Sequence, residues 1–145
     1  MATGAIIDCG DGPEYSAIYQ WLAARGLLSA AHFSGAVSPH DVPKLLAEMD
    51  IGVAPYPQQS GFIFPLKIYE YMAAGLPVIT SRVGHLAEIV NDGVNGLLVM
   101  PDDPVALCDA LERLLNNTQL RKRLGMTGRK QVERAHSWDC IVAHI

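Results

Sequence analysis

The sequence predicts an α/β fold: a Rossmann-like, mostly parallel sheet flanked by helices. Two observations predict it. Short apolar runs of strand length alternate with segments whose apolar residues recur at helical spacing, and turn residues stand between them. Half of the 145 residues are hydrophobic and only 18% are charged, a balance that builds a folded core. Strands alternating with helices form βαβ units, and these produce parallel sheets. At this length residues 1–145 are expected to form one domain that buries about two-thirds of its unfolded surface.

The first strand is Ala5 to Asp8, ending in the turn Cys9-Gly10-Asp11-Gly12-Pro13. A helix follows with Tyr15, Ile18, Tyr19 and Leu22 on one face, closed by Gly26 in a left-handed cap. The second strand, Ala31 to Ser34, runs into Gly35 and a loop through Pro39. Val42, Leu45, Leu46 and Met49 then give a helix one apolar face, with Asp41 as its cap and Pro43 in the first turn. Ile51 to Ala54 is the third strand. It opens into the loop Pro55–Phe64 and a helix from Leu66 to Ala74, with Pro65 at its start and Gly75 just past its end. Pro77 to Thr80 is the fourth strand, a short helix spans Leu86 to Val90, and Gly96 to Val99 is the fifth strand. Asp103 caps the next helix, Pro104 opens it, and Leu107, Leu111 and Leu114 mark its buried stripe. The basic segment Thr118–Arg134 reads as two helices broken near Gly125 to Gly128, and Ser137 as the cap of a last helix.

Charge and composition exclude several functions. The net charge of −4, with no run of Lys or Arg, argues against broad binding to nucleic acid. Cys9, Cys108 and Cys140 are odd in number and have no metal-ligand spacing, which points to a reducing compartment and a cytoplasmic protein. The five histidines form no metal-binding pattern. No apolar run approaches the ~18 residues a membrane span needs, and no signal peptide is visible.

The chemistry concentrates in Ser60–Gly75, at the spacing Pro65-x-Lys67-x-x-Glu70. A helix that starts after a Gly- and Pro-rich loop turns its free N–H groups and positive dipole end toward that loop, and such an end binds anions. Lys67 adds charge in the first turn. Glu70 lies on the same side three residues on, and a carboxylate there accepts from two neighbouring hydroxyls such as those of a ribose. A phosphate at the terminus and a sugar diol one turn along describe a nucleotide site. A second reading stands beside it: Lys67 and Glu70 as an exposed pair worth about 0.2–0.5 kcal/mol. The loops Gly35–Pro39, Pro55–Phe64 and Ser81–His85 all follow strands, at the edge where such sheets bind ligands. That convergence favours the nucleotide.

The segments GDGPE at 10–14, FSGAVSPHDVPKLLAEMDIGVAPY at 33–56, PLKIYEYMAAGLPVITSRVG at 65–84, EIVNDGVNGLLV at 88–99 and HSW at 136–138 carry a resemblance. In order and spacing they resemble the C-terminal, donor-binding domain of GT-B glycosyltransferases, specifically retaining family 4. The resemblance implies a nucleoside diphosphate sugar as donor and no cofactor or metal. Glu70 would hold the ribose hydroxyls, and the backbone N–H groups at Leu66 and Lys67, after Pro65, would receive the diphosphate. The loop Gly35–Ser38, with Val37 and Ser38, would border the base. Gly61 and Phe62 lie in the loop ahead of the helix, and Arg82 is a further candidate for phosphate, although a solvated loop arginine is the preferred reading.

Departures from the pattern matter. The family often carries an acidic residue eight positions before its motif glutamate, where this chain has Phe62, which leaves the identity of the sugar open. His85 stands where a second glycine is frequent. The leading strand and helix of the domain, with a phosphate-gripping Arg and Lys, and the acceptor domain have no counterpart in the chain. It reads as a fragment, inactive alone, whose partner is the missing N-terminal domain or chain and whose full-length form is cytoplasmic or peripheral at the membrane. Unpaired strand edges would favour a homodimer or an altered strand order. The alternatives are a non-catalytic module binding a nucleotide or a partner protein, and a nucleotide-sugar epimerase of the same two-domain architecture, which the EYMAAGLPVI and EIVNDGVNGLLV segments fit less well.

Overall fold

The computed structural model describes residues 6–9, 12–59, 61 and 65–135. Gly10, Asp11, Phe62 and the HSW segment with Ser137 lie outside the described residues. The chain divides into two compact units, Met1–Leu45 and Leu46–Ile145.

In the first unit β1 (Ile6–Cys9) pairs in parallel with β2 (Ala31–Gly35), and α1 (Tyr15–Ala24) connects them through a 3-10 turn at Leu28–Ala30. The expected aromatic and aliphatic face of α1 is real. The Tyr15 and Tyr19 rings sit 5.1 Å and 5.7 Å from Phe33 of β2, and Leu22 is buried. Gly26 ends the helix at φ 68°, a left-handed conformation that costs glycine nothing.

In the second unit β3 (Gly52–Ala54), β4 (Val78–Ser81) and β5 (Gly96–Val99) form a parallel sheet in the order β3-β4-β5. All the described strand pairs are parallel, as expected, but they form two ladders rather than one. Strand bounds fall within one residue of expectation. The helix α2 (Val42–Ala47) bridges the division between the units and stops short of Met49, with Asp41 immediately before it. The helices of the second unit are α3 (Leu66–Ala73), α4 (Leu86–Ile89), α5 (Pro104–Leu115) and α6 (Thr118–Ala135).

Successive residues of a strand face opposite ways, so β4 feeds two cores. Val78 packs with Ile68 and Met72 of α3 and with Leu86 and Val90. Its neighbour Ile79 packs with Leu97 and Val99 of β5, Ala110 and Leu114 of α5, and Leu120 and Leu124 of α6. Asp103 caps α5 as expected: its carboxylate accepts from the Ala106 N–H at 2.9 Å, and Pro104 takes the first helical position. Buried Asn95 accepts from the Asn91 N–H and donates to the Ile89 carbonyl and to Gln131. No described helix is long and apolar enough to cross a membrane.

The expected break near Gly125–Gly128 is absent, and α6 is one helix of 18 residues. Glycine is a poor helix former in isolation, which is what the sequence reading weighed. Tertiary packing decides otherwise. Both glycines are buried on the face of α6 that lies against α3 and the turn after it. A Cβ on Gly125 would overlap the backbone carbonyl of Gly75, and one on Gly128 would lie 3.2 Å from the Met72 side chain. The glycines mark close approach, not a break.

Gly125→Ala should therefore destabilise the protein by about 1–3 kcal/mol through overpacking, more than its intrinsic helix gain of about 1 kcal/mol. Urea unfolding of the variant beside Gly128→Ala, whose Met72 neighbour has a flexible side chain, should show the larger loss at position 125.

Candidate functional site

The route from β3 to α3 begins with Ala54-Pro55-Tyr56-Pro57-Gln58. Proline has no N–H, so in Pro55–Gln58 only Tyr56 and Gln58 have backbone donors to satisfy. Both are satisfied by side chains. The Tyr56 N–H donates to Ser81 Oγ at 2.8 Å, and the Gln58 N–H donates to Asp102 Oδ2 at 2.9 Å. One step earlier, Thr80 Oγ1 donates to the Ala54 carbonyl at 2.8 Å. Residues 54, 56 and 58 are thus each held by a side chain distant in sequence. Thr80 and Ser81 are buried at the end of β4, where a hydroxyl needs a partner, and these bonds provide it. A cavity of 380 Å³ opens beside this segment, lined in part by Pro55, Tyr56, Ser81, Met100, Asp102 and Leu107.

The helix α3 follows. Pro65, buried, takes its N-cap position without a side-chain cap. The first bond of the helix runs from the Tyr69 N–H to the Pro65 carbonyl at 3.1 Å. The N–H groups of Leu66, Lys67 and Ile68 precede it, so the helix itself gives them no acceptor. Ile68 and Met72 are fully buried and anchor the inner face. Lys67 and the Leu66 side chain are exposed, and Glu70 is half-buried. No ion pair joins Lys67 to Glu70 among the described residues. Between them, burial pushes the Tyr69 phenol above its ordinary 10.0.

The other sequence candidates are placed as follows. Gly61 is exposed in the loop ahead of α3, and Phe62 lies outside the described residues. The Arg82 side chain is exposed, and the Arg82 backbone N–H donates to the Val99 carbonyl at 2.8 Å. His85 takes the N-cap position of α4, with no side-chain capping bond. Val37 and Ser38 belong to the first unit. There Val37 is half-buried, and the Ser38 hydroxyl donates to Asp41 Oδ2 at 3.0 Å. Also in that unit, an open cleft of 520 Å³ lies at the ends of β1 and β2, lined by Gly12, Pro13, Tyr15, Ser16, Phe33, Ser34 and Gly35. Gly35 has φ 67°, which turns the chain sharply out of β2. The sequence reading brought Pro65, Leu66, Lys67 and Glu70 together correctly as one helical turn and the start of the next. It missed Thr80, Ser81 and Asp102. For Thr80 and Ser81, polar residues at the very end of an apolar strand were the available signal.

The family model for glycosyl transferases group 1 matches residues 5–117. The chain belongs to this family. It is 35% identical over 134 residues to the uncharacterized glycosyltransferase MJ1178 of Methanocaldococcus jannaschii, covering 92% of this chain and 37% of that protein. It is 33% identical over 123 residues to the MMP alpha-(1->4)-mannosyltransferase of Mycolicibacterium hassiacum, covering 84% of this chain and 29% of that protein. Among solved structures it is similar to Anabaena Alr3699/HepE in complex with UDP-glucose, with a TM-score of 0.79, 24% identity, and coverage of 95% of this chain and 38% of that one. That likeness shows a shared fold, that of the GT-B glycosyltransferases. The chain spans about a third of the length of the relatives it matches.

Ser81→Ala removes the acceptor of the half-buried Tyr56 N–H. The expected cost is about 1–3 kcal/mol, read as a lower urea midpoint with an unchanged slope.

Proposed function

We propose that the chain is the donor-binding half of a retaining, family 4 glycosyltransferase that moves a sugar from a nucleoside diphosphate sugar to an acceptor. One observation carries the reading. The first N–H groups of α3 precede its first helical bond, and Glu70 lies on the same side of the helix as Lys67, with no ion-pair partner among the described residues. In this reading the Leu66 and Lys67 N–H groups and the helix dipole hold the diphosphate. Glu70 accepts hydrogen bonds from the two ribose hydroxyls. As the bond to the sugar breaks, charge builds on the leaving diphosphate, and fixed donors stabilise it without reorganising. The helix end and Lys67 supply positive charge, so the proposal includes no metal ion. In the same reading Arg82 is a further phosphate contact, and Gly61 lies in the loop ahead of α3.

Transferase relatives about three times as long as the chain support this assignment, the mannosyltransferase among them. So does a neighbour of the same fold in complex with UDP-glucose. Transfer needs groups placed on both sides of the sugar, so the acceptor side belongs to the rest of the protein and this chain by itself is inactive. The same reading places the enzyme in the cytoplasm.

Calorimetric titration of the chain with UDP, GDP and ADP tests the proposal. One base should bind best, and Glu70→Ala should weaken that binding about 10- to 100-fold, the worth of hydrogen bonds to a charged acceptor. Equal affinity in the variant, or no binding to any of the nucleotides, would point instead to a module that binds a partner protein.

A further inference from the structure

Gly52 opens β3 and is buried there. Its φ is not positive, so this position does not use the freedom that glycine brings to turns. Glycine inside a strand weakens it, and it marks a place where another part of the chain comes close. The part that comes close here is α3. A Cβ at position 52 would lie 2.5 Å from Cγ and Cδ2 of Tyr71 and 2.9 Å from its Cβ. The Tyr71 Cβ moves only with the helix backbone, so the clash would not be relieved by a change of rotamer. Two residues on, and so on the same face of the strand, Ala54 packs with Ile68 and Met72. The face of β3 that receives α3 is therefore built from the two smallest residues. Met72 is held by a second element as well: it is fully buried, and Gly128 of α6 lies against it. Glu70 thus directly precedes two residues whose seats are both shaped by an absent side chain.

We infer that Gly52 is a positioning residue for Glu70: by leaving room for the Tyr71 ring it sets the depth at which α3 sits on β3, and with it the place of the carboxylate one residue before. The inference rests on the proposed donor site at α3. A hydrogen bond to a sugar hydroxyl forms only within a narrow range of distance and angle. Raising the helix by the thickness of a methyl group takes Glu70 out of that range while leaving the first N–H groups of α3 free to bind phosphate.

The test compares whichever of UDP, GDP or ADP the chain binds best with the 2′,3′-dideoxy form of the same nucleotide, by calorimetric titration. The parent chain should prefer the ribose form by about 10- to 100-fold, and Glu70→Ala should remove that preference. Gly52→Ala should reduce the preference several-fold, because the carboxylate no longer meets the hydroxyls. A merely structural role would weaken both forms alike and leave their ratio unchanged. Gly52→Ala combined with Tyr71→Ala removes the two nearest atoms of the clash. It should recover most of the preference even though lost packing leaves its thermal midpoint below the parent's. An unchanged ratio in Gly52→Ala overturns the positioning role and leaves Gly52 a packing residue. Should Gly52→Ala fail to fold, the double variant decides: a double variant that is unfolded, or folded without the preference, overturns the role. A parent chain with no preference, or one whose preference Glu70→Ala leaves intact, refutes the reading of Glu70 itself, and the positioning role falls with it.

Discussion

The strand β4 is buried along its whole length, and much of the second unit follows from that. Its four residues are covered on both faces. Val78 and Ile79 meet this with apolar packing on opposite sides. Thr80 and Ser81 carry hydroxyls into the same dry setting, where an unpaired polar group is costly. Their partners are the Ala54 carbonyl and the Tyr56 N–H, both on the neighbouring chain segment. Satisfying the end of the central strand therefore also directs the loop that leaves β3. A requirement of the core becomes a constraint on the path to the site.

The helix α3 is where core and site meet. Ile68 and Met72 are buried without residue, while Lys67 and Glu70 turn outward or to the edge. Two glycines of α6 let that helix come close to the far end of α3 and to the turn at Gly75. Close packing there limits how α3 can tilt, since interiors of this density do not deform continuously. A carboxylate on such a helix is held where a flexible loop would not hold it.

Membership of the group 1 glycosyltransferases is consistent with this division of labour. The relatives share residues across most of this chain yet are about three times as long. Within the second unit the ends of β3, β4 and β5 and the start of α3 face the same rim of the parallel sheet, the rim at which such folds take ligands.

By itself the sequence determined the parallel α/β class, the order of elements, the caps at Asp103 and Gly26, and the turn from Pro65 to Glu70. These are local facts. Hydrophobic period, proline and glycine placement and helix spacing act within a few residues of one another, so they are legible in one dimension. Tertiary structure decided the rest. Gly125 and Gly128 read as a helix break because propensity is weighed without neighbours, whereas their meaning lies in Gly75 and Met72, about 50 residues earlier in the chain. The partners of Thr80, Ser81 and Asp102, 26, 25 and 44 residues away, carry no local mark. A hydrogen bond across such a separation exists only once the sheet has brought its ends together.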